Sequence, residues 1–287
     1  MDRPSFPRAA LDGAGWILVA SGLLHVVVWA VLGGGWEGAV SWRKPILFGL
    51  SAGLTALSFG WLWSWLPPPR SRVAAAGATL TALALVAEVA LIDVQCWRGR
   101  ASHFNHATPL DGLIADAMNL LIAGVTWFAV WLTVRFCRGA PEHDGTPMAD
   151  DMRLAARAGL ILLVWSCALG FWATWHGERQ LAAGRPPELL GAAGVTKFAH
   201  GAVIHALQWL PALAWIAAFR GLAPRARRRI VRLGVLGSGL FAVASLLQVL
   251  HGRARLDVVP VTLVLFSAAA ACGLAILVGL RSGAAVK

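Results

Sequence analysis

Residues 73–96 read VAAAGATLTALALVAEVALIDVQC, a stretch with no basic residue, no proline and only two acids, Glu88 and Asp93. A helix of that length rises ~36 Å at 1.5 Å per residue, more than the roughly 30 Å hydrocarbon core of a bilayer. The run is apolar around most of its circumference and keeps no broad polar face for water. It shows none of the alternation of a barrel strand, and lipid offers no partner to an open backbone. A transmembrane helix is the spanning structure that fits.

Seven further runs of this kind lie on either side, bounded by Arg, Pro, Gly and charged clusters. The eight predicted spans cover residues 14–34, 44–66, 73–96, 111–137, 153–175, 197–219, 229–251 and 258–280. The 287 residues are 58% hydrophobic and 14% charged, against about 45–50% and about 25% in soluble domains. The sequence therefore predicts an all-α, polytopic membrane helix bundle forming a single transmembrane domain over 1–287.

The net charge of +11 would suggest nucleic acid in a soluble protein. Here the basic residues sit in short loops between apolar runs, so they read as topology signals, the bilayer is the partner and nucleic acid is not. Of the 25 Lys and Arg, 16 fall on the side of the termini and of the loops after the second, fourth and sixth spans, and 9 on the other. GLAPRARRRIVR (221–232) is the densest cluster. The positive-inside rule then expects both termini in the cytoplasm of a bacterial-type inner membrane. The N-terminal apolar run is too long for a signal-peptide core and lacks a cleavage pattern, so it reads as retained.

Trp36, Trp42, Trp61, Trp63, Trp65, Trp97, Trp131 and Trp175 lie near span ends and supply interfacial belts in a chain with no Tyr. That absence also excludes a tyrosyl radical or a phenolic ligand. Cys96, Cys137, Cys167 and Cys272 form no CxxC or CxxCH, so neither a disulfide scaffold nor a covalently attached haem is indicated, and they read as small core residues.

At an offset of 153, Lys44, Gln95, Gly99, Arg100 and Ala101 match Lys197, Gln248, Gly252, Arg253 and Ala254. An even number of crossings returns a chain to its starting side, so two parallel four-helix repeats are expected, over 1–140 and 153–287. Gly49 and Gly53, in GLSAG, and Gly234, Gly237 and Gly239 predict close helix packing.

The unusual polar residues collect on the side opposite the basic loops. Glu88, Asp93 and Gln95 lie toward the outer end of the third span. The loop RGRASHFNHATPLD holds His103, Asn105, His106 and Asp111, and Asp116 and Asn119 follow in the fourth span. The fifth span is expected to end at His176 and Glu178. Lys44 opens the second span; Lys197, His200, His205 and Gln208 open the sixth, and Gln248 and His251 close the seventh. An ionisable group at mid-span costs at least ~2.5 kcal/mol for Asp, Lys or Arg and ordinarily faces the bundle interior or a wet cavity. Depth counting puts His25, Glu88 and His205 in one layer ~12–14 Å from the outer surface. On the sixth helix Lys197, His200 and Gln208 would share a stripe, with His205 ~140° from His200 at 100° per residue.

Four function classes fit these residues. The first is a redox or metal-cofactor protein of electron transport. A b-type haem would sit between His25 and His205, with His200 or His251 facing His103, His106 or His176 as a second pair. A divalent metal would take His25, Glu88, Asp116 and His205, and a quinone or redox protein would be the partner. The second class is a proton-coupled small-solute transporter using Glu88, Asp93, Asp116 and Lys197. The third is a metal-dependent lipid-modifying enzyme at the outer leaflet. Ser21 and His25 form S-x-x-x-H, which with His200, His205 and a carboxylate is similar to the seven-helix zinc hydrolases of the ceramidase and adiponectin-receptor type. The H-x-x-x-x-H spacing on the sixth span and the count of eight spans depart from that family. The fourth is an accessory subunit of a membrane complex. Against these stand ordinary structural roles: hydrogen-bonded packing for His25, an ion pair or neutral acid for Glu88 and Asp93, snorkelling for Lys44 and Lys197, and a helix cap for the 98–111 loop.

The 16-to-9 asymmetry is tested by fusing a topology reporter after residue 287 and another within 225–229. Both should be active on the cytoplasmic side; a C-terminal reporter active only outside would invert the map.

Overall fold

Pro7 opens the first helix, in the first turn, where its missing N–H costs nothing; α1 therefore begins at Phe6 rather than near residue 14 and runs to Leu32. The computed structural model describes residues 5–67 and 72–282. Arg3, Arg70 and Lys287, counted in the charge asymmetry, lie outside them. After α1 come α2 (Arg43–Ser64), α3 (Arg72–Trp97), α4 (Pro109–Arg138), α5 (Asp150–Ala182), α6 (Thr196–Gly201), α7 (Ala206–Phe219), α8 (Pro224–Leu250) and α9 (Pro260–Ser282). Two-residue strands β1 (Glu142–His143) and β2 (Thr146–Pro147) pair, as do β3 (Leu189–Leu190) and β4 (Gly194–Val195). The protein is thus an all-α helical bundle, with eight segments among the described residues long and apolar enough to cross a membrane.

Three other elements also differ from the sequence reading, among them α8, which begins at Pro224 rather than residue 229. Helix α5 continues to Ala182 because HGERQLA contains good helix formers and no proline stands before Pro186, so His176 and Glu178 lie within it rather than at its end. The sixth span, expected as one helix over 197–219, is divided into α6 and α7 by a turn at 202–205. The proposed stripe of Lys197, His200 and Gln208 is therefore not continuous.

The chain forms two compact units. The first contains the chain through Arg135 and Pro141–Thr146; the second contains Phe136–Ala140 and the chain from Pro147 onward. Within the first, α1 and α2 are in backbone contact through glycines. A methyl group on Gly49 would stand 2.8 Å from Gly22 Cα, and one on Gly53 would stand 2.8 Å from the Gly15 carbonyl oxygen. Phe59, Phe128, Trp63 and Trp131 then stack α2 against α4.

Within the second unit Gly159 lets α5 meet the backbone of Leu207 on α7, and Ala155, Leu210 and Val231 fill the interior. Gly234 packs on Leu210 and Leu213 and Gly237 on Cys272, but Gly239 faces open space and makes no close contact. Cys272 is buried, whereas Cys137 is exposed and so is not the core residue expected. Large apolar side chains on the outside, such as Leu24, Val27 and Val31 of α1 and Val264, Leu274 and Val278 of α9, present the surface that lipid covers.

Gly49→Leu should force α1 from α2 and lower stability by roughly 1–3 kcal/mol, the usual cost of overpacking. Gly239→Ala should leave it unchanged. Thermal unfolding of the two variants in detergent measures the contrast.

Candidate functional site

A polar cluster in the first unit joins α1 to the last turn of α3. Ser21 donates its hydroxyl to Asp93 Oδ2 at 3.0 Å, tying together two helices whose contact no sequence spacing signals. Trp97, the final residue of α3, donates its indole N–H to His25 Nε2 at 3.1 Å. An indole nitrogen can only donate, so Nε2 must accept and the imidazole proton sits on Nδ1. There it donates to the Ser21 carbonyl at 2.9 Å, one helical turn back. His25 is thereby held as a neutral ring of one tautomer, walled by the Trp42 and Trp97 rings at 6.0 and 6.3 Å.

Glu88 lies five residues below Asp93 on α3, ~7.5 Å along the axis. It is 6% exposed, on the seam that also buries Leu85, Ile92 and Gln95. Its Oε2 and the Oδ1 of Asp93 are buried with no hydrogen-bond partner among the described residues. His25 sits beside Trp97 and Ser21 rather than level with Glu88, because the Trp97 bond seats its ring at the end of α3. The single layer expected for the two groups is therefore two, with His25 the outer.

The 98–111 loop is built as a cap around Gln95, which is fully buried. Gln95 donates to Asp111 Oδ1 at 3.0 Å, and Arg98 bonds both Gln95 Oε1 and Asp111. Thr108 donates to Asp111 Oδ2, and the Asp111 N–H donates back to Thr108 Oγ1, with Pro109 at the helix start. This is reciprocal capping at the mouth of α4. Asn105 donates to the Ala101 carbonyl, and His103 pairs with Ser102 beside the Phe48 ring. His106, Asp116 and Asn119 are exposed. Lys44 reaches the Ala39 carbonyl at 2.8 Å.

The second unit repeats this clasp. Gln248, also fully buried, donates to the Ala254 carbonyl at 2.7 Å, the position 153 residues after Ala101, and accepts from Thr262 at 2.7 Å. Gly99 and Gly252 both end their helices in the left-handed region, with φ of 65° and 66°. The next N–H returns to the glutamine carbonyl in each loop, Arg100 to Gln95 and Arg253 to Gln248. That is one helix-ending motif used twice.

The break in the sixth span has its own cause. Ser166 of α5 donates to the His200 carbonyl at 2.7 Å, and His200 Nδ1 donates to the Ser166 carbonyl at 2.7 Å. A serine thus satisfies the carbonyl next to the interruption, and the ladder is let go for one turn. His205 follows as the residue preceding α7. Ser166 was invisible from sequence, since a lone serine in an apolar run looks like any small packing residue. Lys197 pairs with Glu188, His176 bonds the Leu189 carbonyl at 2.9 Å, and His251 ends α8. His25 and Glu88 belong to the first unit and His205 to the second. Among the described residues no three His, Cys, Asp or Glu side chains are grouped to hold a metal ion.

Comparison with known proteins adds no relative: no family model matches the chain, and no curated protein and no solved structure is detectably similar.

The Trp97 bond predicts that ¹⁵N NMR of labelled protein finds His25 protonated on Nδ1 and unprotonated on Nε2. Trp97→Phe should release Nε2 and mix the tautomers without unfolding the protein.

Proposed function

We propose that the protein is an inner-membrane, proton-coupled small-solute transporter in which Glu88 is the proton-binding group, Asp93 and Ser21 continue outward from it, and His25 is a positioning residue. The observation that carries this reading is the buried Glu88 carboxyl with an oxygen left bare in the middle of a span. An ionised carboxylate in that setting is costly, so it is matched by a proton or a cation. The groups that follow outward, a carboxyl with one open oxygen and a hydroxyl bonded to it, are of the kinds that pass protons, and His25, with both ring nitrogens engaged, holds Ser21 and Trp97 in place beside them. The interrupted sixth span gives the reading separate support, because broken helices are where transporters expose backbone to a substrate. The two glutamine clasps support a chain built of two repeats, and the charge asymmetry supports cytoplasmic termini.

A haem or metal at His25 makes a different demand. It would need the Nε2 lone pair that Trp97 N–H occupies, so Trp97 would have to turn away. The lipid-enzyme reading needs a serine and histidine free to act, and Ser21 and His25 are each committed to another group.

Proteoliposomes with a trapped pH dye, challenged with a panel of small solutes, test the proposal. One solute should drive proton movement, and Glu88→Gln should reduce it at least tenfold with the protein still folded and inserted. Asp93→Asn should slow it less, since Glu88 keeps its proton site. A purified protein with a haem spectrum or stoichiometric metal, lost in His25→Ala, would replace transport with the cofactor reading and bring a quinone or redox partner with it.

A further inference from the structure

Outside the polar cluster, the second unit holds a cavity of about 180 Å³ between the start of α5 and the start of α8, lined by Asp150, Arg153, Leu154, Arg157, Arg228 and Arg232. Four guanidinium groups face one carboxylate there. Asp150 is shared by Arg153 and Arg228, and Arg157 is turned toward the Phe136 and Gly139 carbonyls at 2.8 and 2.9 Å, which position it without cancelling its charge. Arg232 has no ion pair among the described residues. Asp151, buried next door, is already taken by Arg227.

The positive-inside rule accounts for arginines on this side, but not for a cavity among them. The start of α8 is also a poor place for cations. Its first turns carry Arg225, Arg227, Arg228, Arg229 and Arg232 and no acid in the first turn, against the positive end of the helix dipole. An anion in the cavity would be favoured by the dipole and the guanidinium groups together. Arg153 and Arg157 are half-buried and form the floor, while Arg228 and Arg232 are exposed and form the rim.

We infer that this cavity binds the phosphate of an anionic phospholipid from the leaflet on the side of the basic loops. The choice of lipid over a free anion comes from what lies one turn deeper. Ile161 follows Arg157 by four residues on α5, and Leu236 follows Arg232 by four on α8; they are 52% and 53% exposed. Both helices start at the basic end, so each side of the cavity passes from arginine to bare hydrocarbon in the direction of the membrane core. A headgroup among the arginines leaves its acyl chains on Ile161 and Leu236. Basic pockets between membrane helices on the cytoplasmic side are built for such headgroups. This site is independent of the Glu88 relay.

The test is native mass spectrometry of the detergent-purified full chain, titrated with phosphatidylglycerol, phosphatidylcholine or inorganic phosphate, with thermal unfolding on the same samples. Phosphatidylglycerol should bind at least tenfold more tightly than phosphatidylcholine and should not be displaced by millimolar inorganic phosphate. Each arginine removed should weaken binding by about fivefold, so Arg228→Gln with Arg232→Gln should lose about 25-fold. Arg232→Gln alone breaks no ion pair, and it decides the matter if the double variant does not fold. Equal binding of the two lipids overturns the proposal, as does an Arg232→Gln protein that binds as well as wild type. Displacement by inorganic phosphate at the same concentration as lipid overturns it in favour of a free-anion site.

Discussion

Hydrocarbon contains no water to complete a hydrogen bond, and at three irregularities of this bundle, the ends of α3 and α8 and the break in the sixth span, side chains complete the bonds instead. The clearest cases are the two buried glutamines. An amide with donors and an acceptor at one end can hold a helix end, a loop carbonyl and the start of the next helix together, which a lone hydroxyl or carboxylate cannot. Gln95 and Gln248 each do so, and the loops that follow them are ordered around those bonds rather than around a hydrophobic core. The same constraint acts inside the sixth span, where Ser166 and His200 exchange bonds so that the helix can stop and restart without exposing a carbonyl to lipid.

The constraint also distinguishes residues that hold the fold from those available for chemistry. Asp111 is fully buried, but its oxygens are engaged by Gln95, Arg98 and Thr108. Glu88 is buried on the same side of α3 with one oxygen bare. Burial is alike in the two; the number of donors within reach differs. Trp97 makes a similar distinction for His25, whose second nitrogen would otherwise be an open ligand.

What could be read from the sequence follows the range of the interactions. The existence of eight spans rests on run length and composition, both local, and the boundaries moved most where Pro7 and Pro224 open α1 and α8 early, where the helix formers after Trp175 extend α5, and where the sixth span is interrupted. The Gln, Gly, Arg and Ala matches at an offset of 153 pointed to two loops of equal geometry, because a left-handed glycine closing a helix leaves a local signature. The pairings across helices had none. Ser21 meets Asp93 72 residues away and Ser166 meets His200 34 residues away. Counting depth from predicted ends, with an error of a turn, put His25 level with Glu88 when it stands beside Trp97. Arginines 153, 157, 228 and 232 were legible as topology signals, but the cavity among them depends on α5 and α8 being neighbours.

The length of α5 has a consequence for the membrane itself. Its 33 residues make a rod of ~50 Å, some 20 Å longer than a typical hydrocarbon core. With Arg153 and Arg157 at the headgroups of one leaflet, His176 would lie ~29–35 Å further along, level with the far edge of the hydrocarbon, and Glu178 and Arg179 just beyond it. His176 fastens the β3–β4 hairpin to that end of α5 through the Leu189 carbonyl. Tied to α5 at that level, the hairpin would keep its height relative to the helix, and a bilayer of different thickness would be accommodated by tilting α5.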